Sequence, residues 1–225
     1  MPRENYQSRL SELRAEVSAM ADLTLERYHE SLAVLETGDH VQAQQIIEGD
    51  AELNEWYLDI EKQCVELIAL QQPVASDLRF IASSFKIVTD LERVGDLATN
   101  LARYGRDGEF ELFPGVDIET IGGLAGEMVS DAMDAYTRDD ADAARVIAER
   151  DGELDECCQV ATEAVVRELM TSHASEMDAT EVEATLESVS RALLTVRDLE
   201  RVGDHAVNIC ARTLYMVEND DELIY

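Results

Sequence analysis

Seven consecutive residues occur twice in this chain. Asp90-Leu91-Glu92-Arg93-Val94-Gly95-Asp96 returns 108 positions later as Asp198-Leu199-Glu200-Arg201-Val202-Gly203-Asp204, and Ala98 and Asn100 return as Ala206 and Asn208. A second echo lies upstream at an offset of 101. Ala43-Gln44-Gln45-Ile46-Ile47-Glu48 resembles Ala144-Arg145-Val146-Ile147-Ala148-Glu149, and Asp50-Ala51-Glu52-Leu53 resembles Asp151-Gly152-Glu153-Leu154. Two stretches repeated in the same order mark a unit built twice, so each half must bury its apolar face in the same way. The two offsets differ by seven residues, about two helical turns, which places the added length around residues 171–180.

The repeated unit reads as helix throughout. There are three prolines in 225 residues, Pro2, Pro73 and Pro114, and apolar residues recur at helical spacing between them. Leu10, Leu13, Val17, Met20, Leu23 and Leu35 predict a helix over 5–36 that stops at Thr37-Gly38-Asp39. Ile46, Ile47, Leu53, Trp56, Ile60, Cys64 and Leu67 predict a second over 40–70, which Pro73 separates from a third over 74–104. Glycine and Pro114 mark 105–117 as the connecting stretch. Helices over 118–137, 141–171 and 178–218 complete the second copy. The expected fold is all-α, with six long helices forming two repeated antiparallel three-helix bundles, 1–107 and 118–225, joined by a linker at 108–117.

A formal net charge of −31, from 49 acidic and 18 basic residues, limits the partners. Such a surface repels nucleic acid and anionic lipid at long range. It fits weak cation binding at many sites or solubility in concentrated salt, and salt adaptation, as expected of a halophilic archaeon, would account for its bulk. No window reaches the length of apolar sequence that a membrane span needs. Four cysteines, two of them the adjacent Cys157 and Cys158, form neither a disulfide framework nor a CxxC motif. A reducing cytoplasm is the expected location, with membrane contact only through a protein partner.

Glu92 and Asp96 are four residues apart and share a helix face, beside the apolar Phe85 and Val88. Glu200 and Asp204 repeat the arrangement. Like charges one turn apart repel unless something positive stands between them, either an arginine or a metal ion. All-oxygen donors suit magnesium or manganese, and iron as well. Glu26 and Glu30 on the first helix, and Glu127 and Asp131 at the 101 offset, form two further pairs. If the helices are neighbours, four carboxylates per half converge. In so acidic a chain such pairs also arise by accident, so the pairs inside the repeated heptad carry more weight. Arg93 and Arg201 are expected to pair with Asp90 and Asp198 or with acids of a neighbouring helix. Gly95 and Gly203 cost about 1 kcal/mol each of helix propensity, which close helix approach explains. His205 reads as a surface residue or as one that supports the neighbouring acids from behind. There is no phosphate-binding loop and no nucleophile–base–acid set.

Pro73-Val74-Ala75-Ser76-Asp77-Leu78-Arg79, Lys86-Ile87, Leu91-Glu92-Arg93-Val94-Gly95-Asp96 and Asn100, with the second copy at 199–208, resemble the signature of the PhoU family over essentially the whole chain. The resemblance implies a cytoplasmic, non-enzymatic regulator of phosphate homeostasis. It would act negatively on uptake through the phosphate-specific ABC transporter and, in bacteria, through a sensor histidine kinase. It further implies a homodimer and multinuclear clusters of iron, zinc, magnesium or manganese held by acidic motifs. Those motifs fall on Glu92, Asp96, Glu200 and Asp204, and less directly on Glu26, Glu30, Glu127 and Asp131. The second copy lacks the Pro-x-x-x-Asp-Leu-Arg run and has Glu187 and Leu194 at the positions of Arg79 and Lys86. Two other classes compete. A metal-dependent phosphohydrolase would use clustered ions. A metal-storage bundle wants paired Glu-x-x-His motifs, of which only Glu26-x-x-His29 is present.

Overall fold

The structure is a computed structural model and describes residues 3–71, 73–107, 115–171 and 178–224. Its helices are α1 (Arg3–Thr37), α2 (His40–Gln71), α3 (Ala75–Arg106), α4 (Ile118–Arg138), α5 (Ala141–Glu149), α6 (Asp151–Thr171) and α7 (Ala179–Glu218). The helix expected over 141–171 is thus two pieces, α5 and α6. At Arg150 the backbone tightens: its N–H donates to Ile147 O at 3.0 Å, one residue short of the α-helical partner. Arg150 occupies the place of Gly49, which lies inside the uninterrupted α2.

The first hairpin is built the same way in both halves. Gly38 ends α1 with φ +63°, and the Asp39 carboxylate accepts from the N–H groups of Val41 and Gln42 at the start of α2. At the offset of 101, Asp139 ends α4 with φ +57° and Asp140 accepts from Ala143 N–H to cap α5. Glycine adopts this left-handed geometry without cost. Asp139 adopts it with its carboxylate held by Arg14 at 2.8 Å. The added length of the second half falls between α6 and α7. Part of it extends α7 at its N-terminus, where Asp178 and Glu181 form a capping box, and 172–177 lie outside the described residues. Most of the expected linker, 108–114, also lies outside them.

α3 and α7 are the central helices. α1 and α2 pack on α3, α4, α5 and α6 pack on α7, and the halves join through α3 against α7 and α1 against α4. One apolar core runs through all seven helices, from Leu13 and Met20 of α1 to Ile209 and Met216 of α7. Between α1 and α4, Tyr28 is fully buried and donates its hydroxyl to Gly122 O at 2.8 Å. This shared core fixes how the repeated heptads face each other.

Candidate functional site

Each residue of the repeated heptad has its own task. Leu91, Val94, Leu199 and Val202 are fully buried in the core. A Cβ on Gly95 would run into Leu53 Cδ1, and one on Gly203 into Leu154 Cδ2, so each glycine receives a leucine from the neighbouring helix. The expected close approach is therefore a knob from α2 or α6, with the leucine itself duplicated.

The leading aspartates tie the halves together. Asp198 is completely buried. It accepts from Tyr104 Oη at 3.0 Å across the α3–α7 seam and from Arg197 Nη2 at 2.7 Å, with Arg201 only at 3.9 Å. Asp90 meets His205 Nδ1 at 2.9 Å and Asn208 Nδ2 at 3.2 Å, both from α7. His205 is accordingly 9% exposed and bonded between the halves, not a surface residue. The expected pairing of Arg93 with Asp90 gives way to this contact across the seam.

Glu92 and Asp96, and likewise Glu200 and Asp204, lie along the outer side of α3 and α7, with Glu92 half-buried and the other three exposed. The acids that join them come from the second helix of each half. Asp50 of α2 acts on both Glu92 and Asp96, and Asp151 of α6, with Asp155, stands against Glu200. Each half thus carries a row of carboxylates across a helix pair: Asp50, Glu92 and Asp96 in one, Asp151, Asp155, Glu200 and Asp204 in the other. Asp50 and Asp151 were not singled out from the sequence, although the Asp50-Ala51-Glu52-Leu53 repeat contained the signal.

The acids of the first helices are placed differently. Arg150 Nη2 lies 3.0 Å from Glu127 and its Nη1 lies 2.7 Å from Asp131, so an arginine separates that pair. In the first half the guanidinium comes from the opposite helix: Arg27 of α1 lies over Gly49 and bonds Gly49 O and Glu52. Glu26 is exposed and Glu30 half-buried, with no ion pair among the described residues.

Burial raises the carboxyl groups of Glu92, Asp96 and Glu200 above their ordinary values, and neighbouring acids add to it. Asp151 is raised furthest, to about 6, first by burial and then by Asp155, Asp204 and Glu200. Beneath this row the Cys158 thiol is pushed up to about 12 by burial and by Glu200, so it stays protonated at neutral pH. A raised acid binds a proton in the folded state that it does not bind when unfolded. Its cost to stability is present above pH 6 and is relieved as pH falls toward the ordinary carboxylate range. Asp151→Asn is therefore expected to raise the thermal midpoint near neutral pH, with the gain over wild type shrinking by about pH 5. A gain that does not change with pH would reject this account.

A cation would relieve the same repulsion. Among the described residues, no group of three or more His, Cys, Asp or Glu side chains is already arranged to hold one ion, so the rows are open and not preformed cages. Their donor chemistry nonetheless suits a hard metal ion. Asp151 Oδ1 is buried beside Gly203 and has no hydrogen-bond partner among the described residues, and Asp155, Asp204 and Glu200 act on the Asp151 carboxyl group. Asp151, Asp155, Glu200 and Asp204 would hold an ion in the second half, and Asp50, Glu92 and Asp96 in the first.

Fold and rows define a tandem helical-bundle protein with a carboxylate row on each copy. Residues 17–105 and 118–213 each match the PhoU domain, and the chain belongs to the PhoU family. A relative from Pseudomonas putida, "Phosphate-specific transport system accessory protein PhoU homolog", is 36% identical, the match covering 97% of this chain and 82% of that protein. The crystal structure of PhoU from Pseudomonas aeruginosa superposes with a TM-score of 0.85 at 32% identity, covering 96% of this chain and 100% of that one. The phosphate transport system regulatory protein PhoU from Streptococcus pneumoniae gives 0.84 at 26% identity, covering 96% and 98%. Among the described residues no helix is long and apolar enough to cross a membrane.

Proposed function

We propose that this chain is a cytoplasmic regulatory accessory of phosphate transport that docks on the inner side of the phosphate-specific ABC transporter and lowers uptake. Its carboxylate rows hold metal ions in that role, and the working form is a homodimer. The observation that carries the reading is the match of both halves to one domain whose relatives are named as accessory proteins of phosphate-specific transport. The arrangement of the rows supports it. They lie on outer helix faces where Asp96, Glu200 and Asp204 remain exposed, which suits ion binding and contact with a partner better than water-excluding hydrolysis.

Deleting the gene tests this directly. Uptake of labelled phosphate under phosphate-replete conditions is expected to rise, and a plasmid copy should restore it. Unchanged uptake together with unchanged phosphate-starvation expression would end the proposal. A tagged copy recovered from native membranes should bring the transporter ATPase with it.

A further inference from the structure

We infer that the homodimer forms through the two ends of the α3–α7 seam, the basic end of one copy against the acidic end of the other. This rests on the homodimeric reading and assigns the surface that reading leaves open.

The offset of 108 runs along the whole of α3 and α7, so a residue at one end of the seam has its counterpart at the other. At the end where α7 begins, Tyr104, Glu183, Leu186, Glu187 and Leu194 line an open hollow of about 420 Å³. Their counterparts, where α3 begins, are Arg212, Ala75, Leu78, Arg79 and Lys86. The contact that closes the seam is duplicated too. Arg191 Nη1 donates to Asp107 O at 2.8 Å, and Ser83 Oγ, at the place of Arg191, donates to Arg212 O at 3.0 Å. The two ends are one surface built twice.

Its shape is kept and its charge is reversed. Leu78 and Leu186 are 42% and 51% exposed, an apolar side chain in water at the same place in both copies. Leu186 shares its end with Glu183 and Glu187, and Leu78 shares its end with Arg79, Lys86 and Arg212. Arg106 and Arg191 are taken up by the Asp107 carboxylate and carbonyl, which leaves Glu183 and Glu187 without a cation among the described residues. Arg79, Lys86 and Arg212 likewise have no acidic partner there, and Arg79 Nε is buried with no hydrogen-bond partner. A chain with 49 acids and 18 bases leaves three cations unpaired at one place, and carboxylates from outside would answer them.

Symmetry selects a second copy as their source. α3 and α7 run antiparallel, since Ser83 meets Arg212 and Asp90 meets His205. The axis relating the two helices is therefore normal to the seam, and both ends face the same side. A second copy turned about an axis perpendicular to these helices brings its acidic end to the basic end of the first and its basic end to the acidic one, and the pair closes. Turning about an axis parallel to the helices sets like charge against like, which disfavours that arrangement. A partner of a single charge would fit one end and be repelled by the other.

Light scattering on serial dilution of the full chain, at one fixed salt concentration, reads the association. Wild type is expected to be a dimer. Arg79→Glu with Lys86→Glu makes both ends acidic, and Glu183→Lys with Glu187→Arg makes both basic. Each pair should weaken association by about tenfold or more with helical circular dichroism unchanged. Glu183 and Glu187 are exposed, so folding is least at issue in the second pair. Mixed in equal amounts, the two variants should dimerise with each other. A chain carrying all four substitutions should associate within about threefold of wild type. A wild-type dimer insensitive to both pairs, or weakened variants that recover neither on mixing nor in the fourfold chain, would overturn the inference while leaving the homodimer. A monomeric wild type would overturn the homodimer and the inference together.

Discussion

Leu154→Ala is expected to lower the free energy of unfolding by about 2–5 kcal/mol, read as a shift of the denaturation midpoint. Leu154 is fully buried, and its Cδ2 fills the space that a Cβ on Gly203 would occupy. Removing the branched end leaves a cavity on top of the lost apolar transfer energy. The partner change carries the sharper test because its sign depends on the background. In wild type, Gly203→Ala pushes a methyl group against Leu154, an overpacking cost of about 1–3 kcal/mol. That outweighs the gain of up to about 1 kcal/mol from replacing glycine inside a helix. In the Leu154→Ala background the methyl enters the vacated space, and the same change should stabilise. A Gly203→Ala effect of one sign in both backgrounds would show that the glycine is there for some other reason. The first half offers a replicate in Leu53 and Gly95.

Tyr28→Ala is expected to cost about 3–5 kcal/mol and to act on both halves at once. Its ring is fully buried between α1 and α4, lies against Gly126, and sends its hydroxyl to Gly122 O. Tyr28→Phe keeps the packing and should cost about 1 kcal/mol, the net contribution of one hydrogen bond. The chain has a single tryptophan, Trp56 on α2, so its fluorescence reports the first half while far-ultraviolet circular dichroism reports all helices. A core continuous through seven helices should make the two wild-type transitions coincide. Separate transitions in wild type would show that the halves unfold independently, and the seam contacts would then carry little of the coupling assigned to them.

The seam matters because it sets the character of the carboxylate rows. Asp90 held by His205 and Asn208, and Asp198 held by Tyr104, fix the register of α3 against α7. That register brings Arg201 and His205 to the first row, where they temper Asp96 and Glu92. Loosening the seam would therefore change the electrostatics of the first row without touching its carboxylates.

Several features of the site could be read in advance because they are local. Glu92 and Asp96 had to share a face, since four residues make about one helical turn. The break after Thr37 followed from Gly38, which does adopt φ +63°. The close approach at Gly95 and Gly203 followed from glycine inside a helix, although the leucine that enters did not. Other readings failed for one shared reason. His205 looked peripheral because its wheel position says nothing about a second helix lying against it. Glu127 and Asp131 could not be assigned to a metal or to an arginine until Arg150 was placed beside them. Asp50 and Asp151 were passed over because nothing within α2 or α6 distinguishes them from the other acids.

Taken alone, the order of residues determined the duplication and the helices with their breaks, the step at Arg150 excepted, because hydrogen bonding in helices and turn geometry are settled within a few neighbours along the chain. Tertiary structure alone decided which carboxylates share a row, which arginine answers which acid, and why Asp151 Oδ1 is left without a partner where the Asp50 carboxylate has two, Asn54 and Thr99. Those outcomes depend on the register of helices distant in sequence, and a shift of one residue at a helix crossing turns each side chain by about 100° and exchanges every such neighbour.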